Sequence, residues 1–271
     1  MYLSAERLAL ANEQVRETFE QTSIAWQSIP RWDTADPGQT YVRTDLTNAT
    51  AVAPPNVEPP LGVEMVAITG QVVRFAMSLA QAMAPSPDAL LAAVIARTEH
   101  LAQAVDDDVV DKLTAKVPVP GFVKTKSAEN VLAGLIDARM VVEDAGYLAP
   151  CCLFADRLAF KILSSLIDGV PATEYLSPVP NINSFRRFRK LDQSGGGANA
   201  RLLLLGRRQL IADGRAADAS PGEEPADLAV SIPPSLECVG DNGTGLIEWA
   251  VRIRYALRIK DVSGLVAVVV P

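Results

Sequence analysis

The chain has 271 residues, 49% of them apolar, with 25 basic side chains against 32 acidic ones and a net charge of −7. That length holds one large domain or two smaller ones with a substantial core, and the acidic balance argues against a general nucleic-acid binder. The charged start MYLSAERLALANEQ has no signal-peptide core, no apolar run reaches the roughly 18 residues of a membrane span, and three cysteines, two of them adjacent, make no disulfide framework. Together these features predict a cytoplasmic protein with no membrane partner.

Residues 4–21 read as an amphipathic helix capped by Ser4, with Leu8, Val15 and Phe19 on one stripe. A single-faced helix must dock on something. The stretch SIAWQSIPRWDTADPGQTYVRTD places Trp26, Trp32 and Tyr41 around the turn signal TADPGQ. It reads as two extended arms that project from the body and rest on a partner. AVAPPNVEPPLG follows, and its four prolines exclude helix.

Residues 63–77 return to a strand pattern. SPDALL then opens a long helix, with Ser86 as N-cap and Pro87 as the first helical residue. Leu90, Val94, Leu101, Val105, Val109 and Leu113 keep helical spacing, which predicts about seven turns. A second helix runs from the cap Ser127 to the C-terminal Gly146. YLAPCCLFA reads as a buried strand, DRLAFKILSSLIDG as a helix capped by Asp156, and DGRAADASPGEEPADLAV as an exposed acidic loop. The final stretch, LIEWAVRIRYALRIKD, alternates strictly. Ile247 through Ile259 form its apolar face, and Arg252, Arg254, Arg258 and Lys260 line the other. It is more than twice the usual strand length of roughly 5–6 residues.

Catalytic chemistry finds no foothold. His100 is the only histidine and sits in the middle of a helix, with no nucleophile motif to serve. One histidine and three cysteines at these spacings do not make a zinc site, DDDVVD lacks the glycine and glutamate of a calcium loop, and SGGGAN lacks the lysine of a phosphate loop. FRRFRK reads as an edge strand facing acidic neighbours rather than a single-stranded nucleic-acid platform. No catalytic residue, metal or cofactor is expected.

The order of elements resembles the HK97-type shell fold shared by tailed-phage major capsid proteins and bacterial encapsulins. LAGLIDARMVVEDAGYLAPCCLFADRLAFKILSSL resembles the helix–strand–helix of its axial domain. LAVSIPPSLECVGDNGTGLIEWAVRIRYALRIKD resembles its peripheral-domain strands, and the helix at 87–113 resembles its spine helix. The resemblance implies an α+β protein with an N-terminal helix (1–22), an extended loop (23–60), a peripheral domain (61–125 and 221–271) and an axial domain (126–220).

It also implies functional positions. Leu8, Val15 and Phe19 would help form a luminal groove for a cargo peptide. Asp168, Gly169, Thr173, Glu174 and Tyr175 would crowd a symmetry axis and line a pore. Trp26, Trp32 and Tyr41 would contact a neighbouring subunit. The basic face would meet a neighbour's carboxylates or the shell's contents. Residues 1–111 contain no lysine, which excludes the lysine cross-link that some phage shells of this fold form in the extended loop.

The activity implied is self-assembly into a closed icosahedral compartment through large heterologous interfaces. The encapsulin reading, with an enclosed cargo protein, fits the chain length and the short N-terminal helix. A phage or prophage capsid around DNA, located in the virion, is the alternative. A non-assembling α+β enzyme or binding protein is the second.

Overall fold

The computed structural model describes residues 4–46, 62–117, 123, 125–194, 199–241 and 243–271. Helix α1 (Ala5–Thr22) begins where the Ser4 hydroxyl accepts a hydrogen bond from the Arg7 N–H at 3.3 Å. Ser23 ends α1 and at once caps α2 (Ile24–Ser28), accepting from the Trp26 N–H at 3.2 Å. Four strands follow: β1 (Arg31–Asp33), β2 (Tyr41–Leu46), β3 (Gly62–Ala67) and β4 (Thr69–Ser78). The one-turn α3 (Leu79–Ala82) carries a reciprocal Ser78–Gln81 capping box. Helix α4 (Asp88–Lys116) runs for 29 residues. It starts one residue later than expected, with Pro87 at the N-cap and no side-chain cap bond, so Ser86 does not cap it.

Ser127 caps α5 (Ala128–Asp144), and Gly146 follows it at φ 87°, a left-handed backbone that glycine adopts freely. Strand β5 (Ala149–Ala155) leads into α6 (Arg157–Leu163), whose cap Asp156 accepts from the Ala159 N–H at 2.6 Å. The two-residue strands β6 (Leu166–Ile167) and β7 (Val170–Pro171) form a small hairpin. Then come β8 (Ile182–Arg187), α7 (Leu191–Ser194), β9 (Ala200–Arg207), β10 (Ala226–Asp241), β11 (Leu246–Ile259) and β12 (Leu265–Val270).

Two four-stranded sheets organise these elements. The first has the order β1-β10-β11-β4 and the second β12-β9-β5-β8. The first sheet lays Trp249, Val251, Ile253 and Tyr255 into a core shared with Val15 and Phe19 of α1 and Val94, Leu101 and Val105 of α4. This is the expected packing of the long alternating strand on the long helix. The second sheet is covered on both faces. Cys151, Leu153, Leu202 and Leu204 join a core with α5 and α6, while Cys152, Phe154, Leu203 and Leu205 belong to the core of the first sheet. Burial on both faces explains why CCLF and LLLL are continuous apolar runs rather than alternating ones.

Three expectations are corrected. The extended loop does not begin at residue 23. Residues 24–28 are helical, Ile29 is fully buried, and Trp26 packs edge-on against Phe19 with ring centroids 5.3 Å apart. Arg31 lies over the other side of that indole at 4.1 Å. These side chains gain more by completing the core beside α1 than by projecting into water. Next, β12 belongs with the second sheet, so the last residues do not stay with the 221–271 unit. Finally, the acidic loop is partly interior: Glu224 is buried and its carboxylate accepts from the Arg208 and Gln209 N–H groups.

Candidate assembly surfaces

The α1 surface is closed. Val15 and Phe19 are fully buried against α4 and β10, and Leu8 is partly buried against the same core. Three polar contacts fix the helix in place. Asn12 Oδ1 accepts from the Leu236 N–H at 2.9 Å. The Arg7 guanidinium donates to the carbonyls of Ala82 and Pro85 at 3.2 and 3.3 Å. The Asp106 carboxylate accepts from Ser23 Oγ at 2.7 Å and from the Ile24 and Ala25 N–H groups at 2.9 and 3.0 Å. Burial raises the Asp106 pKa to about 6, against the three donors, which pull it down. Val15 and Phe19 therefore line no open groove. The apolar side chain α1 turns outward is Leu10, 43% exposed, which the stripe reading passed over because it sits among polar neighbours.

The basic row of β11 is met from within the chain. Arg252 pairs with Glu237 at 2.7 Å. Arg254 donates to the carbonyls of Pro37 and Gln39 at 2.7 and 3.1 Å, which ties the 34–39 turn across the sheet. Arg258 grips Asp227 with both Nε and Nη2, at 2.7 and 2.6 Å, and lies over the Trp32 ring at 4.7 Å. Lys260 reaches the same carboxylate at 3.2 Å, and burial lowers its pKa even though Asp227 raises it. Asp227 is 0% exposed. Within the chain three of the four cations therefore meet carboxylates of β10, and Arg254 meets the carbonyls of the turn above it. Trp32 likewise belongs to the sheet. It lies in β1, parallel to β10, and its indole N–H donates to Asp227 at 3.4 Å. The signal was legible in part, because Asp227 is the cross-strand register partner of Arg258.

Strands β2 and β3 pair as an antiparallel ribbon, and residues 47–61 between them, which include the end of the expected extended loop, lie outside the described residues. At its root Val42 and Thr44 turn inward, while Tyr41 and Met65 are exposed. Lys116 at the end of α4 pairs with Glu64 at 3.1 Å.

The five loop candidates do fall together. Asp168 and Gly169, at φ 51° and 84°, make the tight turn of the β6–β7 hairpin, as two left-handed residues do in a two-residue connection. The one-turn helix at 172–175 follows and brings Thr173, Glu174 and Tyr175 beside it. Asp168, Gly169 and Glu174 are exposed, and Thr173 and Tyr175 are half-buried. The five candidates leave out the loop's exposed apolar members. Leu166 is 66% exposed and Val179 is 51% exposed. Between α5 and the hairpin lies a recess of ≈ 290 Å³ floored by Leu132, Ile136, Tyr175 and Val179.

His100 is exposed on α4, at the rim of a separate cavity that also takes in Arg187 and Arg189. Among the described residues no group of three or more His, Cys, Asp or Glu side chains is placed to hold a metal ion, and no helix is long and apolar enough to cross a membrane.

No protein-family model and no curated protein matches the sequence. Solved structures do match the fold. A virus-like particle from Pyrococcus furiosus aligns with a TM-score of 0.72 at 13% identity, covering 97% of this chain and 98% of that one. A phage-related protein from Bordetella bronchiseptica aligns with a TM-score of 0.67 at 12% identity, covering 96% of each chain. The capsid of cyanophage P-SCSP1u aligns with a TM-score of 0.57 at 9% identity, covering 90% of this chain and 86% of that one. The two sheets, the long α4 and the β2–β3 arm are thus those of the HK97-type shell fold.

Proposed function

We propose that this protein is a shell-building subunit that assembles with copies of itself into a closed icosahedral compartment. The observation that carries the reading is the end-to-end match to the Pyrococcus furiosus virus-like particle, in which 97% of this chain and 98% of that one correspond. The role is structural rather than catalytic. The body around the first sheet and α4 would be the peripheral domain. The body of the second sheet with α5 and α6 would be the axial domain, with Asp168–Tyr175 at its symmetry axis. The β2–β3 ribbon, with Tyr41 exposed at its root, would be the arm that lies on a neighbour.

The finer reading is an encapsulin-type compartment in the cytoplasm, enclosing a cargo protein. It is supported by charge. The chain is net −7, and three of the four cations of the β11 row are paired with its own Asp227 and Glu237, which weakens that row's attraction for DNA. A phage or prophage capsid around DNA is the second reading, favoured by the match to the phage-related protein over 96% of both chains.

The test is direct. The expressed protein is run on a size-exclusion column and imaged by negative stain. Uniform closed particles support the shell, and an elution as monomer or small oligomer at every salt concentration contradicts it. Analysis of particles isolated from the native host then separates the finer readings: co-purifying protein supports the compartment, and DNA supports the capsid.

A further inference from the structure

Three of the four cations in FRRFRK meet carboxylates, as their sequence context predicts. Arg186 pairs with Asp213 at 2.8 Å, Lys190 with Asp111 at 3.2 Å, and Arg187 with Asp192. Beside them α6 presents a different surface. Arg157, Phe160 and Lys161 have the i, i+3, i+4 spacing that puts side chains on one helix face, and all three are exposed. Neither Arg157 nor Lys161 pairs its side chain with a carboxylate among the described residues. Phe160 lies flat on Phe185 of β8, with ring centroids 4.8 Å apart and planes 9° from parallel. The buried pair Phe154–Phe188 crosses at 76° and closes on itself. A parallel pair can extend as a stack, and Phe160, 37% exposed, is its solvent-side ring.

Around the helix, at 3.6 residues per turn, Arg157 and Lys161 fall between Phe160 and Leu158. Leu158 and the two cations border a cavity of ≈ 330 Å³ with Asp156, Asp192 and Asn199. Both carboxylates there are already engaged. Asp156 accepts from the Ala159 and Arg201 N–H groups at 2.6 and 2.8 Å, and Asp192 accepts from the Arg157 N–H at 2.6 Å and from Arg187. The cations therefore stand unpaired between a flat aromatic stack and an open hollow.

We propose that Phe160, Phe185, Arg157 and Lys161 form a binding surface for single-stranded nucleic acid, with an unpaired base on the rings and phosphates on the cations. Stacking rings beside cations are the parts that hold single strands without reading sequence. The rings select a single strand over a duplex, which keeps its base faces inside. They also select it over an acidic peptide, which would use the cations alone. The surface is complete within one chain and does not rest on the shell reading.

The protein is expressed in bacteria and purified without nuclease, so that cellular RNA and single-stranded DNA meet the chain before any shell can close. The preparation is irradiated with ultraviolet light, and nucleic-acid adducts are mapped by mass spectrometry of the digested chain. Adducts are expected on the peptides that carry Phe160 or Phe185. A preparation free of nucleic acid, or adducts confined to other peptides, overturns the proposal. Variants give the second measurement. Arg157→Glu with Lys161→Glu should lower the nucleic acid recovered per chain by about tenfold through lost phosphate contacts. Phe160→Ala alone should lower it by about fivefold through the lost base stack. Circular dichroism checks that each variant folds. Arg16→Glu with Arg97→Glu makes the same charge change on α1 and α4 and should leave recovery unchanged. An equal loss in that control assigns the effect to net charge and overturns the proposal, as does loss of a co-purifying acidic protein in place of nucleic acid. Neither readout depends on assembly. Chains that form no particles yet carry adducts at Phe160 contradict the shell reading alone, and particles without such adducts contradict this proposal alone.

Discussion

The N-terminal segment and the β6–β7 tip make an instructive pair. Both carry apolar residues, and these meet opposite fates. Val15, Phe19, Trp26 and Ile29 are absorbed by the molecule's own core, because α1 and α2 lie against a helix long enough to bury them. Leu166 and Val179 stay in water, because a hairpin of two-residue strands and the loop beyond it reach no core that could cover them. An apolar stripe therefore stays exposed only where the chain has nothing longer to lay it on. The same rule holds for charge. Arg252, Arg258 and Lys260 at the β11 end have acidic partners on the adjacent strand and close on them, while Arg157 and Lys161 of α6 remain outward.

The comparison is broken most severely at Phe19. Phe19→Ala should cost about 3–5 kcal/mol of monomer stability, as for a large side chain removed from a packed core. Chemical denaturation reads this out, and a variant that folds normally yet fails only to load cargo would return α1 to the role of an open groove. Asp227→Ala comes next. It strands Arg258 and Lys260 beside an emptied buried site, and a loss of about 3 kcal/mol is expected. If stability held and only DNA or neighbour binding changed, the row would be a surface after all.

Asp106 gives a pH dependence with a defined sign. Its folded pKa is raised from 3.8 to about 6, so the folded state favours the protonated acid. The stability this contributes is fully present below the unfolded value and is lost as pH rises through about 6, opposite to the usual carboxylate. Asp106→Asn should remove that component, flattening the pH–stability curve between pH 4 and 7 by something on the order of 2 kcal/mol. Identical curves for the two proteins would contradict the burial argument. Trp32→Ala should act on the monomer too, by about 1–2 kcal/mol through lost sheet packing and the Arg258 stacking contact. Full stability with weakened assembly would restore Trp32 to the arm. Smallest of all, Leu10→Asp on the outer face of α1 should shift stability by less than about 0.5 kcal/mol.

Much of the fold was legible because it follows from periodicity and caps. The alternation of β11, the spacing along α4 and the caps at Ser4, Ser127 and Asp156 each belong to one element and need no knowledge of the rest. What stayed hidden depends on distant partners. The helical turn at residues 24–28 is held by Asp106, some eighty residues away, and no local propensity announces it. The return of β12 to the second sheet is a matter of topology. A valine-rich strand looks the same in either sheet, and its pairing with β9 decides the matter. The loop candidates at 168–175 came from the family resemblance, while the helix read over DRLAFKILSSLIDG stops at Leu163 and gives way to the β6–β7 hairpin; the exposure of Leu166 was not legible, because exposure is a property of what fails to pack nearby.

The central claim is that this chain closes on copies of itself, and the particle mass in solution tests it most directly. Sedimentation or single-particle mass measurement of the purified protein should give one closed species many tens of times the 28.9 kDa of the chain. A sharp species at one or a few chain masses, unchanged by salt and concentration, would contradict it.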